Sequence, residues 1–226
     1  MKELLSKSIQ ILNTNVLLVL FIGICNIQIL SGVLTYISLL GLVVSFVLSI
    51  IVYGRLVANI QGNTDIPAKL IFKENWLNYI VAIILLGIPI LLFSQLVKVL
   101  STSAEILVFG KEGFRMLVNI LAIYVLPIVF IKKQHVLAIM AGIIFFFQNF
   151  KKSIPLIMLA VFMFIIHATT MWLVVTWQLQ LNQNIHALIP VMVLVNIAVT
   201  YLSFLVFTTA CLILIPSPLE EVEHVA

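Results

Sequence analysis

Charge is scarce in this chain. Asp, Glu, Lys and Arg make up 9% of its 226 residues, and Asp65 is the single aspartate. A soluble domain with 63% hydrophobic residues would lack the polar side chains to cover its surface. With one aspartate, chemistry by paired aspartates is excluded. Cysteine is nearly absent: Cys25 and Cys211 both lie deep in apolar runs. So placed they give no disulfide framework and no Cys-x-x-Cys site, and they read as small apolar packing residues. No block of five or more Lys/Arg occurs, so the net charge of +4 does not point to nucleic acid. No signal-peptide cleavage pattern follows a short apolar stretch near the N-terminus, and the mature chain is expected to start at Met1.

What is present is apolar length. Mean hydropathy is +1.27, and several runs exceed the ~18 residues of a spanning helix. The expected fold class is all-α: a polytopic transmembrane helical bundle in a single integral membrane domain over 1–226. Six spans are expected at about 14–31, 34–57, 76–98, 116–131, 154–177 and 188–215, with an interfacial helix at 1–13 and a tail at 216–226. Val16–Gly54 runs 39 residues without a charge. At ~1.5 Å per residue that suffices for two crossings of a ~30 Å apolar layer, with Leu30–Gly32 as the turn. The fourth run, Met116–Ile131, has only 16 residues and contains Pro127. It crosses only if the bilayer thins or its ends snorkel.

The stretch FIKKQHVLAIMAGIIFFFQNFKKSIPL decides the topology. If Gln134–Gln148 crossed, its two flanking Lys pairs would face opposite sides. Its fifteen residues fall short of the ~20 needed to span, so 134–150 is expected to be an interfacial or re-entrant helix. Gln134, His135, Ala138, Ala141, Gly142 and Gln148 form its polar-and-small side, with Val136, Leu137, Ile139, Ile143, Phe146 and Phe147 opposite. Lys2, Lys7, Arg55, Lys69, Lys73, Lys132, Lys133, Lys151 and Lys152 then share one side, nine of the twelve basic residues. That side is expected to be the cytoplasm, with both termini there. The seven-span rival puts the C-terminus outside.

One arrangement recurs three times. Asn13, Asn75 and Asn149 each follow an apolar or amphipathic stretch and precede a long span, at offsets of 62 and 74 residues. Each unit would be a surface helix followed by a two-span hairpin. The three asparagines are expected to cap helix starts by accepting from free backbone N–H groups.

The segments VYGRLVANIQGNTDIP (Val52–Pro67) and MAGIIFFFQNFKKSIPL (Met140–Leu156) carry a family resemblance. The chain is similar to a group of uncharacterised six-helix prokaryotic integral membrane proteins, and to the membrane domain fused to some glycerophosphodiester phosphodiesterases. The resemblance covers most of the chain and implies the architecture. No phosphodiesterase catalytic motif is present here, so that activity does not carry over.

Chemistry-bearing groups are few. No HExxH, G-x-S-x-G, P-loop or Cys-x-x-Cys pattern occurs, and no cofactor or metal is implied. No acidic residue falls inside the expected spans, which argues against a carboxylate relay. Of His135, His167, His186 and His224, only His167 lies mid-span, beside Thr169 and Thr170. It reads either as a proton-sensitive or ligand-contacting residue, or as a neutral histidine bonded across helices. Asn196 is a second intramembrane polar residue, in a set with Asn26, Gln28, Gln95, Asn119 and Thr200. Arg55, Lys69, Lys73, Lys132, Lys133, Lys151 and Lys152 serve either to contact lipid headgroups or simply to set topology. Glu220, Glu221 and Glu223 form an acidic tail. The expectation is a non-enzymatic multi-pass protein of the cell membrane, a subunit or accessory factor that binds another protein or a second copy of itself. The alternative is a transporter or handler of a lipid or small apolar solute. The lipid bilayer is its medium in either case.

Overall fold

An apolar segment without water to bond its amides must close its hydrogen bonds within itself. Consistently, the described residues of the computed structural model are helical, with no strand among them. The description covers 2–26, 33–100, 104–133, 136–180 and 189–215. The helices are α1 (Lys2–Asn13), α2 (Val16–Cys25), α3 (Val33–Ile60), α4 (Ala68–Leu100), α5 (Ala104–Leu121), α6 (Val125–Lys132), α7 (Val136–Gln148), α8 (Phe150–Gln180) and α9 (Ile189–Leu214). Four stretches are long and apolar enough to cross a membrane: Ser38–Ile60, Ala68–Val99, Phe150–Val174 and Ile189–Leu214. Two bent pairs raise the number to as many as six if each is one span. These are α1 with α2, bent by 78°, and Phe109–Leu121 with α6, bent by 41°. The turn expected at Leu30–Gly32 lies outside the described residues.

The α1–α2 elbow is held by polar side chains. Asn59 Nδ2 of α3 donates to Thr14 Oγ1 at 3.2 Å, and Tyr201 of α9 donates to Asn13 Oδ1 at 3.3 Å. Further along α1 the Ser8 and Thr209 hydroxyls hydrogen-bond at 2.9 Å in a buried setting. Gly62 and Pro67, from the segment carrying the family resemblance, explain the α3–α4 turn. Gly62 takes φ +79°, the left-handed conformation that ends helices without Cβ strain. Asn63 N–H bonds back to Ala58 O and Gly62 N–H to Asn59 O, a paired closure of the last α3 carbonyls. The carbonyl of Pro67 then accepts from Leu70 and Ile71 N–H to begin α4.

The core sits toward one end of the bundle. From Phe204 to Leu212 every residue of α9 is buried. A helix buried all round must be enclosed by neighbours, and α1, α2, α3, α6 and α8 supply them. Tyr53 lies at the centre, its ring 4.3 Å from Phe207, 4.6 Å from Phe204, 5.5 Å from Phe130 and 5.9 Å from Tyr79, centre to centre. By contrast, α4 buries Ile71, Asn75, Asn78, Tyr79 and Ala82 near its start and only Ser94 between there and Val99.

The segment that decided the topology forms a hairpin with its predecessor. Lys133 takes φ 52° and ends α6. The 13 residues of α7 then pack back along α6, with Gly142 against Val125 and Phe145 against Tyr124. At ~1.5 Å per residue α7 reaches about 20 Å, too short to span alone. Tyr124 also hydrogen-bonds Ser153 Oγ of α8 at 2.9 Å, which fastens the α5–α6 bend to the start of α8.

Candidate functional site: a carboxylate and an imidazole between two helices

The helix leading into the fourth apolar run begins well before Met116. Because α5 starts at Ala104, Glu112 and Arg115 become i, i+3 neighbours on a helix packed against α4 and α8. Glu112 is 8% exposed, and its Oε2 lies 3.6 Å from His167 Nε2 on α8 and 3.7 Å from Arg115 Nη1. A buried carboxylate is expensive unless it is paired. Arg115 is always charged, and its half-exposed side chain reaches outward while its guanidinium faces the carboxylate. His167 is the one partner that can gain or lose a proton near neutral pH. At 3.6 Å it is in ion-pair reach of Glu112, beyond hydrogen-bond length. The group can therefore hold one proton, or grip a small cation through one carboxylate and one imidazole. Among the described residues no group of three or more His, Cys, Asp or Glu could hold a metal ion.

The expectation that no acidic residue lies inside a span turns on whether α5 and α6 form one span. Glu112 sits in the first turn of Phe109–Leu121, which crosses a membrane only if it and α6, bent by 41°, count as one span. Counting only uncharged residues had placed it outside. The signal available in the sequence was the spacing of Glu112 with Phe109 and Met116, which puts the three on one side of a helix. The partner across the interface, His167, carried no such signal.

A double-mutant cycle tests the pairing. Glu112→Gln and His167→Gln, alone and together, are expected to be non-additive by about 1 kcal/mol in unfolding free energy in detergent. Strict additivity would mean that the two side chains are neighbours without interaction.

The other singled-out residues are dispersed. Asn75 lies inside continuous α4, where its Nδ2 donates to Ile71 O at 2.8 Å and its buried Oδ1 has no partner. It is not at a helix start, and no free amides await it there. Asn149 donates to Phe145 O at 3.2 Å, so it closes the end of α7 rather than capping α8. Asn13 accepts from Tyr201, and Asn15, which precedes α2, makes no side-chain cap bond. The bonds of Asn75 and Asn149 run from the side-chain amide back to the carbonyl four residues earlier, and that of Asn13 reaches across to α9. Asn196 is half-buried in α9. Arg55 is half-buried near the end of α3, and Lys69, Lys73, Lys132, Lys151 and Lys152 are exposed at helix ends. Lys133 pairs with Glu74 of α4 at 2.6 Å. His135, His186, His224 and the three tail glutamates lie outside the described residues. No family model, curated protein or solved structure matches the chain.

Proposed function

We propose that this multi-pass protein performs no catalysis of its own and serves as a membrane subunit or accessory protein that holds a second protein chain. The lopsided packing of α4 carries this reading. Only 11% of its most apolar window is buried, against 50% for α9. Ile83, Ile84, Ile88, Leu91, Leu92, Leu96 and Val99 all face outward. On that same stretch a Cβ at Gly87 would meet nothing within 4 Å. Helices associate in lipid by close approach at small residues, since apolar burial alone gives no drive there. A glycine with open space above it, on a helix so little used by its own bundle, suits a partner helix. The cell membrane and cytoplasmic termini belong to the same reading, from the bias of the basic residues.

The test is purification of the tagged chain from its native membrane in a gentle detergent, with and without Gly87→Leu. A stoichiometric companion that the substitution releases, from a chain still folded, supports the reading. A chain that leaves the membrane alone, or only with lipid, overturns it.

A second reading, handling of a lipid or small apolar solute, is favoured by one observation. Glu112, buried with half-buried His167 beside it, is the kind of ionisable group between helices that solute movement can be coupled to. In vesicles containing the protein, movement of a fluorescent phospholipid between leaflets that Glu112→Gln abolishes would support it.

A further inference from the structure

The elbow between α7 and α8 carries an open surface hollow of about 410 Å³ lined by Phe147, Gln148, Asn149, Phe150, Lys151 and Lys152. Its position follows from the chain. The apolar stretch Phe150–Val174 begins there, so the hollow lies at the edge of a candidate span, where headgroups meet acyl chains. Two kinds of group line it. Lys151 and Lys152 are exposed, and among the described residues neither has a carboxylate within ion-pair reach. Lys133, at the other end of α7, has Glu74. Gln148 adds an exposed side-chain amide.

The second kind is aromatic. Phe147 is 63% exposed and Phe150 49%, yet neither ring hangs free. Buried Phe146 meets both edge-on, at 5.4 and 5.7 Å. The hollow therefore has two aromatic lips, each in contact with Phe146, beside two lysines with no acidic partner among the described residues, and an amide donor. An inorganic anion would use the ammonium groups and leave the rings bare. A molecule with an anionic head and acyl chains uses both.

We infer that the α7–α8 elbow is a binding site for the phosphate headgroup of an anionic phospholipid, with Lys151 and Lys152 on the phosphate and Phe147 and Phe150 against the first acyl carbons. This rests on the chain being membrane-embedded and is independent of whether it holds a partner protein. Each lysine near such a headgroup contributes about fivefold in affinity, and the two together about 30-fold.

The test is native mass spectrometry of the full chain in detergent, titrated with phosphatidylglycerol, with phosphatidylcholine and with inorganic phosphate. Phosphatidylglycerol should bind in preference to phosphatidylcholine. Lys151→Gln with Lys152→Gln should weaken it about 30-fold, and the double Arg replacement should restore it. Lys69→Gln with Lys73→Gln, the same change in charge elsewhere, should do much less. Phe147→Ala should weaken the lipid and leave phosphate binding unchanged. Equal binding of the two lipids, or equal loss in the two Gln pairs, would show only bulk attraction of a basic surface and overturn the site. So would phosphate displacing the lipid at comparable concentration, which would mark a free-anion site. All substituted side chains are exposed, so a folded variant is expected in each case.

Discussion

Tyr53→Ala is expected to destabilise the bundle by about 3–5 kcal/mol. The ring is surrounded by Tyr79, Phe130, Phe204 and Phe207, contributed by α4, α6 and α9. Removing it opens a void where four helices meet. In a water-soluble protein part of such a loss is transfer of the side chain to water. In lipid that part shrinks, because the surrounding chains are as apolar as the core. The packing part stays. Rings facing a void lose their dispersion partners, and each aromatic pair contributes about 0.5–1.5 kcal/mol beyond its burial. Tyr53→Phe keeps every ring contact and should cost under about 1 kcal/mol. Reversible unfolding in mixed micelles, followed by helicity, separates the two. If Tyr53→Ala unfolds within about 1 kcal/mol of the parent, the cluster does not hold these helices together.

The second large effect is expected at Gly142. A Cβ there would stand 2.9 Å from both Val125 N and Val125 Cα, and 2.8 Å from Val125 Cγ2. Two of those atoms are backbone and cannot rotate away, so α7 has to move off α6. Gly142→Ala should cost about 1–3 kcal/mol, and Gly142→Leu more, with separation of the hairpin. The Tyr124–Phe145 contact and the α7–α8 elbow then lose their support. Gly87→Ala and Gly113→Ala are the informative comparison. Nothing lies within 4 Å of a Cβ at either, so the gain in helix propensity, about 0.5–1 kcal/mol, should stand alone. The sign of the effect thus reverses among three glycines in helices. Hydrogen exchange of α7 in nanodiscs reads the local consequence. Unchanged protection of α7 in Gly142→Leu would mean that the close approach to α6 is not what seats it.

Comparison of particular elements shows where the sequence was sufficient. The continuous apolar runs over α3, α4, α8 and α9 are visible by composition alone. So is the shortness of α7, since the length needed to cross is a property of one segment. The bonds that close the Gly62–Pro67 turn, back to Ala58 and Asn59, were not legible. The start of the helix that leads into the fourth run was not legible. Its charged residues Lys111, Glu112 and Arg115 seemed to end the span, whereas α5 includes them and turns only one of them inward. The asparagines were assigned a local role at helix starts, and each instead bonds a carbonyl or a neighbouring helix.

By itself the sequence determined that the chain forms helices long and apolar enough to cross a membrane. It did so because internal hydrogen bonding and apolar length are decided within each segment, whatever its neighbours. Only the tertiary structure decided that α9 is the enclosed helix, that α6 and α7 pair antiparallel, and that Glu112 faces His167. These depend on which faces meet across helices distant in the chain. With nearly every face apolar, periodicity cannot rank one face above another, and side-chain shape at Gly142 and Tyr53 makes the choice.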